Sequence, residues 1–557
     1  MEDRIIRTCS LLALSAAAAL LIVPSPAAAL VRVDPARVYL EARAAAIEGR
    51  HARSAVLLAQ LVDTSAASPT VAREAVSQAI RAGDMKLALR LAKGVPAVSM
   101  PMEARLLQVA EAVRGNDPAK ALALLQGAPD AGNPDFLKPF IAAWGAADAG
   151  DQARALAELD QVTPRNLLAA LGPEHRALIL LKFGRIAEAQ PFIDQALKVS
   201  AGGRDRRLRL AFADAYLALG DRNRALAIVG DEGSETRRDR ERIAQGKALY
   251  RIDNGRRAFS EVLVVLAAEV NRLHNESLPV PFAQVARYAA PENSAAAILL
   301  GLMLDRDERT NDALAALRSV PANDPLAPQA RDAEVRVLVG ADRDDEALQA
   351  AQRAIAGGLN DVSDYARLGD VYAAMKRSNE AAAAYGRALQ LAGQARGDDR
   401  WPLLLLQASA LEEGNRWPEA RQALTQALAL APNEPLILNF LGYAKLERGE
   451  DLDAAEALIR KASSLAPDDA SITDSLGWAL YKRGRLKEAI EVLTRAAKAD
   501  PAQAEIREHL GDALYKAGNR FEARYAWQAA LVTAEGDIAT RIKAKLESGL
   551  TAATAAP

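Results

Sequence analysis

A metalloprotease helix needs His-Glu-x-x-His, because two histidines one turn apart hold the zinc ion and the glutamate acts as the base. This motif does not occur in the sequence. We interpret His509 as a structural helix residue, and no metal site is predicted. The four histidines lie too far apart along the chain to suggest a shared set of ligands: His51, His175, His274 and His509.

A phosphate-binding loop is a second kind of site that a short motif can reveal, and Gly246-Lys247 resembles the end of one. That loop also needs a glycine five residues before the second glycine, and a serine or threonine after the lysine to hold magnesium. Glu241 and Ala248 occupy these two positions. The Gly-x-Ser-x-Gly and Gly-x-Gly-x-x-Gly motifs are absent as well. We therefore predict a non-enzymatic protein with no catalytic residue and no cofactor.

The composition favours an extended helical array over a single core. A chain of 557 residues is longer than one hydrophobic core supports. Half of its residues are apolar but only 4% are aromatic, and long stretches consist of strong helix formers. The net charge of -2 gives no electrostatic reason to expect nucleic acid or an anionic membrane as the partner.

Residues 1–29 have the pattern of a cleavable signal peptide. Arg4 and Arg7 precede an apolar run over 11–23, and Ala27-Ala28-Ala29 is a small-residue cleavage site. The run is shorter than the roughly 20 residues that cross a bilayer, and no other long apolar run follows. We therefore expect a periplasmic protein without a membrane span; retention of the segment as an anchor is the alternative. Cys9 precedes the apolar run, so there is no lipobox and no disulfide is expected.

An alanine recurs at a nearly constant interval along the chain. Successive spacings within each of two runs lie between 33 and 39 residues, and most are 33 to 35. This interval matches the 34-residue period of tetratricopeptide (TPR) repeats, each of which is a helical hairpin. The recurring alanines are Ala55, Ala88, Ala121, Ala155, Ala189 and Ala225, then Ala313, Ala347, Ala381, Ala420, Ala454, Ala489 and Ala523.

Each interval is interpreted as two helices joined by a turn. Leu476 and Leu480 lie one turn apart on the first helix, and Gly484 ends that helix. Gly477 and Ala489 are small, so we predict that they allow the two helices to approach closely.

The succession Leu-Gly, Tyr, Ala, a large residue and Ala resembles the TPR family. It is complete in Leu368-Gly369, Tyr372, Ala381, Tyr385 and Ala388. The resemblance implies an all-α fold, a right-handed superhelix (α-solenoid) of stacked helical hairpins. We predict an N-terminal TPR-like array over 30–235, an irregular helical connector over 236–292 and a C-terminal TPR array over 293–535. A capping helix over 536–550 and a disordered tail over 551–557 complete the prediction.

The connector is expected to consist of degenerate hairpins that join the two arrays. It is rich in arginine, but acidic residues lie between the basic ones, which favours a solvated helix face over a surface that binds a partner. Both interpretations remain open for Arg237, Arg238, Arg240, Arg242, Arg256 and Arg257.

In TPR proteins the first helix of each hairpin lines a groove that binds proteins. Acidic side chains at the positions where chaperone-binding TPR domains carry Lys and Asn disfavour a carboxylate clamp. Packing between repeats is the alternative role for the three aromatic residues Trp478, Tyr481 and Tyr515. Transfer of the family's groove positions names Asn439, Tyr443, Asp474, Trp478, Tyr481, Glu508, Asp512 and Tyr515, with Lys482 and Lys516 at the edge.

The C-terminal half resembles LbcA-like envelope TPR adaptor proteins in four segments: Asn439-Phe-Leu-Gly-Tyr443, Asp474-Ser-Leu-Gly-Trp478, His509-Leu-Gly-Asp512, and Trp527. The resemblance implies an adaptor that presents cell-wall hydrolases to a carboxyl-terminal processing protease. The alternative is a structural assembly factor for outer-membrane or exopolysaccharide export complexes. Those adaptors are lipidated, whereas this sequence has no lipobox cysteine.

Overall fold

In the computed structural model, the chain divides into two compact units, Met1–Pro101 and Met102–Pro557. The predicted signal peptide lies outside the described residues. No helix within the described part is both long and apolar enough to cross a membrane. The structure describes residues 34–64, 68–126, 134–163, 166, 168–200, 202–231, 234–273, 278–357, 361–393 and 400–556.

Helices are the only regular secondary structure among the described residues. Unit 1 contains α1 (Pro35–Ile47), α2 (His51–Asp63), α3 (Pro69–Ala82) and α4 (Met85–Ala92). Unit 2 begins with α5 (Met102–Arg114), α6 (Pro118–Leu124), α7 (Lys138–Asp148), α8 (Gln152–Leu159), α9 (Gly172–Lys182), α10 (Ile186–Val199), α11 (Gly202–Ala218), α12 (Arg222–Val229), α13 (Ser234–Ala244), α14 (Gly255–Arg272) and α15 (Pro279–Ala289). It continues with α16 (Ser294–Arg306), α17 (Thr310–Arg318), α18 (Ala327–Gly340), α19 (Asp344–Ala356), α20 (Val362–Ala374), α21 (Ser378–Ala392), α22 (Trp401–Glu413), α23 (Trp417–Leu430), α24 (Pro435–Glu447), α25 (Leu452–Leu465), α26 (Ala470–Lys482), α27 (Leu486–Ala499), α28 (Ala504–Lys516), α29 (Arg520–Leu531) and α30 (Gly536–Ser548).

Consecutive helices pair as hairpins. Within unit 2 these include α5 with α6, α7 with α8, and, from α14 onward, every two successive helices up to α28 with α29. The prediction of an all-α fold of stacked helical hairpins is confirmed.

The turn within each hairpin explains the recurring alanine. A residue with positive φ ends the first helix, the next residue caps the second helix, and the residue four positions after the cap is fully buried, as in Gly484, Arg485 and Ala489. Two positions in the predicted series were wrong by one residue. Ser54, not Ala55, follows the cap of α2 by four positions, and Ala455, not Ala454, does so in α25. The turn before α25 is one residue longer than in the other hairpins, since Gly449 has positive φ and the cap is Asp451.

The close approach predicted at Gly477 is present. A Cβ atom built on Gly477 would lie 2.5 Å from Cγ of Leu493 on the paired helix. Such a distance is far inside van der Waals contact, so any larger residue there would separate α26 from α27. Ala489 is fully buried in the same hairpin.

The connector differs from its predicted role as a simple joint. Helices α14 and α15 form a hairpin that packs back against α5 and α7. Gly255 N–H donates to Asp148 of α7 (2.7 Å), and Lys182 of α9 donates to the carbonyl oxygen of Asp253 (2.6 Å). A cavity of about 400 Å³, with Trp144 in its lining, remains between α5, α7 and α14.

The connector arginines are neither a solvated face nor a free binding surface. Arg237 is exposed, but the other five donate hydrogen bonds to neighbouring segments. They therefore hold the connector to the helices around it. The acceptors are Asp361 for Arg238, the Leu226 and Gly230 carbonyls for Arg240, the Asn323 and Ala248 carbonyls for Arg242, and Glu292 for Arg256 and Arg257.

Helix α30 packs against α29 and α28 beyond the final hairpin. The prediction that residues after 550 are disordered was wrong for 551–556. These residues form a turn in which Ala555 N–H donates to the carbonyl oxygen of Thr551 (2.9 Å), and the segment ends at Ala556, which is only 5% exposed. The local sequence, rich in Ala and Thr, gives no sign of this because the contacts that order it are made with distant helices.

Candidate protein-binding site on the first helices

The candidate groove residues all lie on α24, α26 and α28, the first helices of three successive hairpins. Helix α24 contacts α26, α26 contacts α28, and α28 contacts α30. We call the surface formed by α24, α26 and α28 the first-helix face. The structure therefore places all ten predicted site residues on one continuous surface, but it exposes them to very different extents.

Trp478 is the centre of an aromatic stack. Its ring lies 4.5 Å from that of Tyr481 and 4.2 Å from that of His509 on the next helix, both nearly parallel. Its indole N–H donates to Glu447 of α24 (3.3 Å), and its side chain is fully buried. Of the two roles that the sequence left open, Trp478 has the packing role, and it joins three first helices.

The two lysines at the edge cover the aromatic stack. Lys482 Nζ lies 5.2 Å from the centre of the Trp478 ring, and Lys516 Nζ lies 4.5 Å from that of Tyr481. Both distances are within the range of a cation–π interaction. The two lysines are exposed, Tyr515 is half-buried, and Tyr481 is 7% exposed. Tyr481 is thus also a packing residue in this structure, which corrects its predicted place on an open groove.

Glu508 and Asp512 are bound within the protein, and neither is open to a partner while α30 and residues 549–556 are in place. Lys545 of α30, itself fully buried, donates to Glu508 (2.6 Å) and to both oxygens of Asp512 (2.7 and 2.8 Å). Arg541 adds a bidentate pair to Glu508, with both distances 2.7 Å. Their prediction as groove residues was therefore wrong, because α30 supplies buried cations that the helical pattern did not reveal.

Burial and charge act in opposite directions on these carboxylates. Burial alone would raise the pKa of Glu508, but the hydrogen bonds from Arg541 and Lys545 outweigh it and the pKa is lowered. For Asp512 burial prevails over the charge of Lys545, and the pKa is raised.

His509 is a buried partner of Asp474. Its Nδ1 lies 2.8 Å from Oδ2 of Asp474, and its ring stacks on Trp478. Burial would lower the pKa of His509, but the charge and hydrogen bond of Asp474, together with Asp512 and Glu508, raise it. The structural role predicted for His509 agrees with this position. Asp474 is 8% exposed, and its Oδ1 has no hydrogen-bond partner within the described residues.

An accessible part of the face remains on α24. Asn439 and Tyr443 are half-buried, and Leu436, three residues before Asn439, is 49% exposed. Burial, followed by the nearby charges of Glu447 and Asp474, raises the pKa of Tyr443. Oδ1 of Asn439 lacks a hydrogen-bond partner among the residues described. We call Leu436, Asn439 and Tyr443 the open stripe, since the spacing i, i+3, i+7 places them on one side of the helix.

The remaining histidines have partners on other helices or lie outside the described residues. His51 pairs with Gln78 (2.8 Å), and His175 accepts a hydrogen bond from the indole of Trp144 (2.9 Å). Burial lowers the pKa of His175 to about 3, and the charge of Arg204 adds to this. His274 falls in a part of the chain that the structure does not describe. Within the described ranges, no group of three or more His, Cys, Asp or Glu side chains could hold a metal ion.

The sequence analysis missed Lys545 and Glu447 as members of this site. Lys545 follows the buried Ile542 by three positions, so it lies toward the packed side of α30. That spacing, with acidic residues on the preceding first helix, was the available signal for a buried ion pair.

Family models for tetratricopeptide repeats match three segments, residues 365–394, 405–470 and 477–518. These segments span α20 to α28 with short gaps, and they include the open stripe. The chain contains tetratricopeptide repeats. Such repeats form scaffolds for protein–protein interaction.

Solved TPR structures are similar to the chain at low identity. A chain of the APC/C hetero-tetramer Cut9-Hcn1 shares 15% identity, with coverage of 93% of this chain and 96% of that one and a TM-score of 0.38. A TPR protein from Parabacteroides merdae shares 15% identity over 46% of this chain and 97% of that one, with a TM-score of 0.38. MamA from Desulfovibrio magneticus shares 19% identity over 31% and 94%, with a TM-score of 0.27. No curated protein is significantly similar to the chain in sequence.

Proposed function

We propose that this protein is a non-enzymatic periplasmic adaptor that presents cell-wall hydrolases to a carboxyl-terminal processing protease. The observation that carries the protein-binding part is the run of TPR repeats over residues 365–518 with accessible side chains on α24. The resemblance of the C-terminal half to LbcA-like adaptors supports the choice of partners. The signal-peptide pattern of residues 1–29 supports export.

The open stripe is the part of the first-helix face that suits a protein partner. Leu436 offers apolar contact area, and Tyr443 combines an aromatic ring with a hydroxyl, which makes tyrosine a frequent anchor at interfaces. Asn439 contributes a half-buried amide side chain between these two residues. Because Trp478, Glu508 and Asp512 are engaged inside the protein, the partner's contacts are assigned to α24 and the exposed lysines beside it.

Affinity capture from a cross-linked envelope extract tests this assignment. The full-length protein should enrich both a processing protease and a wall hydrolase. The double variant Asn439→Ala/Tyr443→Ala should lose roughly tenfold or more of that capture, since aromatic anchors carry a large share of binding energy. Circular dichroism should show an unchanged helical content, because both side chains are half-buried at most.

The control lies on α29, the second helix of the final hairpin. Phe521 and Tyr525 are 82% and 71% exposed, so the variant Phe521→Ala/Tyr525→Ala removes more exposed aromatic surface than the α24 variant does, but from a second helix. Loss of capture in the control variant, with capture retained in the α24 variant, would show that the wrong face was chosen. Enrichment of outer-membrane or exopolysaccharide export components without a protease would replace the adaptor role with assembly. N-terminal sequencing of the secreted protein tests export. The mature chain is expected to begin at Leu30.

A further inference from the structure

Residues 549–556 return from α30 to the first-helix face. Ala556 lies in the same buried apolar cluster as Trp478, Tyr481 and Ala513. Its N–H donates to Oδ2 of Asp512 (3.1 Å). A main-chain donor and a methyl group of this segment therefore occupy the face at the junction of α26 and α28.

Asp512, the hydrogen-bond acceptor at this junction, can accept few hydrogen bonds beyond those it already has. Oδ1 of Asp512 accepts from the indole of Trp527 (2.9 Å) and from Lys545 (2.8 Å), while Oδ2 accepts from Lys545 (2.7 Å) and from Ala556. A carboxylate offers about four acceptor positions, so the segment's N–H takes the last one. Lys545 and Arg541 already balance the charges of Asp512 and Glu508, and hence the position favours an uncharged donor over a further cation.

The shape of the junction also restricts what can lie there. Gly549 has a φ of 82°, and a Cβ atom added to it would lie 2.3 Å from the hydroxyl oxygen of Tyr515. Ala556 is 5% exposed among aromatic rings, which leaves no space for a longer side chain. A segment that fits here is built of glycine and small uncharged residues.

The segment is weakly attached to the repeats. Residues 551–553 are exposed, and the internal hydrogen bonds of the turn join Thr551 to Thr554 and Ala555. Within the described part of the chain, the bond from Ala556 to Asp512 is the one hydrogen bond between residues 551–556 and the repeats. Besides that hydrogen bond, the segment is held by one buried methyl group and by the half-buried Leu550, and these few contacts leave it free to exchange with a competitor of similar chemistry.

We propose that residues 549–556 occupy in cis the position that a partner's segment occupies in trans. The partner segment is uncharged, has glycine at the contact with Tyr515 and an alanine-sized residue at the contact with Asp512, and directs a main-chain N–H at Asp512. This inference rests on the proposed protein-binding function and names the chemistry of the bound segment. The chain's own segment then competes with the partner, and binding requires its displacement.

A synthetic peptide with the sequence of residues 549–556 is the probe. Fluorescence anisotropy measures its affinity for three forms: the full chain, a variant ending at Ser548, and the variant Ala556→Glu, which places a carboxylate against Asp512. Binding to the full chain should be at least about tenfold weaker than binding to either variant, since an attached competitor acts at an effective concentration on the order of millimolar. The matched control is Ala552→Glu, because Ala552 is exposed.

The outcomes separate this inference from the proposed function. If all forms bind the peptide equally, or if the variant ending at Ser548 does not bind it, residues 549–556 do not occupy a partner's position. This conclusion would hold even if protease capture succeeds. Peptide binding restricted to the two freed variants upholds it, even if no envelope protein is ever captured. Amide hydrogen exchange of residues 554–556 should be slower in the full chain than in Ala556→Glu, by about the factor that separates their peptide affinities; equal exchange in both would also overturn the inference.

Discussion

Helices α14 and α15 cover α5 and α7 with two helices that are buried on most sides, whereas residues 549–556 cover α26 and α28 with one short turn. The first cover includes a buried ion pair between Glu261 of α14 and Arg207 of α11 (3.3 Å) and apolar side chains such as Phe259 and Phe282. The second cover adds one buried alanine, the half-buried Leu550 and one hydrogen bond to the repeats.

The difference decides which face can serve a partner. Removing α14 and α15 would expose a large apolar area at roughly 25 cal/mol per Å², so that hairpin is a permanent part of the core. Removing the short turn would expose little, and the ordering entropy of its residues offsets part of the gain from its contacts. The cover formed by α14 and α15 is therefore a permanent part of the structure, whereas residues 549–556 can be displaced.

Two buried histidines sharpen the same comparison. His175, in the first region, accepts a hydrogen bond from Trp144, and burial, with a further contribution from the charge of Arg204, lowers its pKa to about 3. His509, in the second, faces Asp474, Glu508 and Asp512, and its pKa is raised. Both histidines contact aromatic rings. Their pKa values shift in opposite directions because the nearby charge is positive at His175 and negative at His509.

The largest expected effect is on the permanent cover. Phe282→Ala should lower the free energy of unfolding of unit 2 by about 3–5 kcal/mol, because Phe282 is 1% exposed and the substitution leaves a cavity. Urea denaturation measures the change, and hydrogen exchange should rise in α5 and α7. Phe521→Ala is the control, since Phe521 is 82% exposed. An effect of the same small size in both variants would mean that α14 and α15 are not part of the core.

A smaller loss of stability is expected at Lys545. Lys545→Met leaves Asp512 and Glu508 buried with fewer cations, which should cost roughly 3 kcal/mol and increase hydrogen exchange in α28 and α30. Arg541 remains on Glu508 and limits the loss. Lys543→Met on the exposed side of α30 is the matched control. If the two methionine variants were equally stable, the ion pair would contribute nothing to this cap.

The two histidines should respond to pH with opposite signs. The folded pKa of His175 is lowered, so its contribution to stability is lost as pH falls below 6.5, by about 2 kcal/mol at pH 5. His175→Gln should therefore destabilise the protein less at pH 5 than at pH 7.

The folded pKa of His509 is raised, so its contribution is fully present below its unfolded pKa of 6.5 and is lost as pH rises through the folded value. His509→Gln should thus destabilise more at pH 6 than at pH 9. Denaturant unfolding of both variants and of the unsubstituted protein across pH provides the measurement. The same pH trend in both variants would contradict the charge environments described.

The smallest effect is expected from the exchangeable cover. Deletion of residues 549–557 should lower the free energy of unfolding by only about 1–2 kcal/mol, because one hydrogen bond, one buried methyl group and the contacts of the half-buried Leu550 are lost while chain entropy is regained. Thermal unfolding followed by circular dichroism measures it. A loss comparable to that of Phe282→Ala would place this segment in the core and remove the contrast between the two covers.

The hairpins could be predicted because their contacts are local. Ala489 and Gly477 lie twelve residues apart, and the same small residues recur wherever a turn brings two helices together. The series failed at two positions: at Ala454, where the turn before α25 is one residue longer, and at Ala55, where Ser54 occupies the buried position. The position of the candidate face on α24, α26 and α28 followed from the same register.

The exposure of that face could not be predicted, because it depends on segments far away in sequence. Tyr443 stays accessible while Trp478 is buried by His509 and Tyr481, although both lie at equivalent positions of their helices. The sequence shows that an apolar or acidic residue can be buried, but it does not show which segment of the chain buries it.

The sequence by itself determined the repeat, its helices and the side of each helix that faces its neighbours, since these follow from short-range spacing. Only the tertiary structure decided that α14 and α15 return to α5 and α7, that Lys545 neutralises Glu508 and Asp512, and that residues 549–556 lie on α28. The physical reason is that burial and ion pairing stabilise any two complementary surfaces that come into contact. The fold alone determines which surfaces do so.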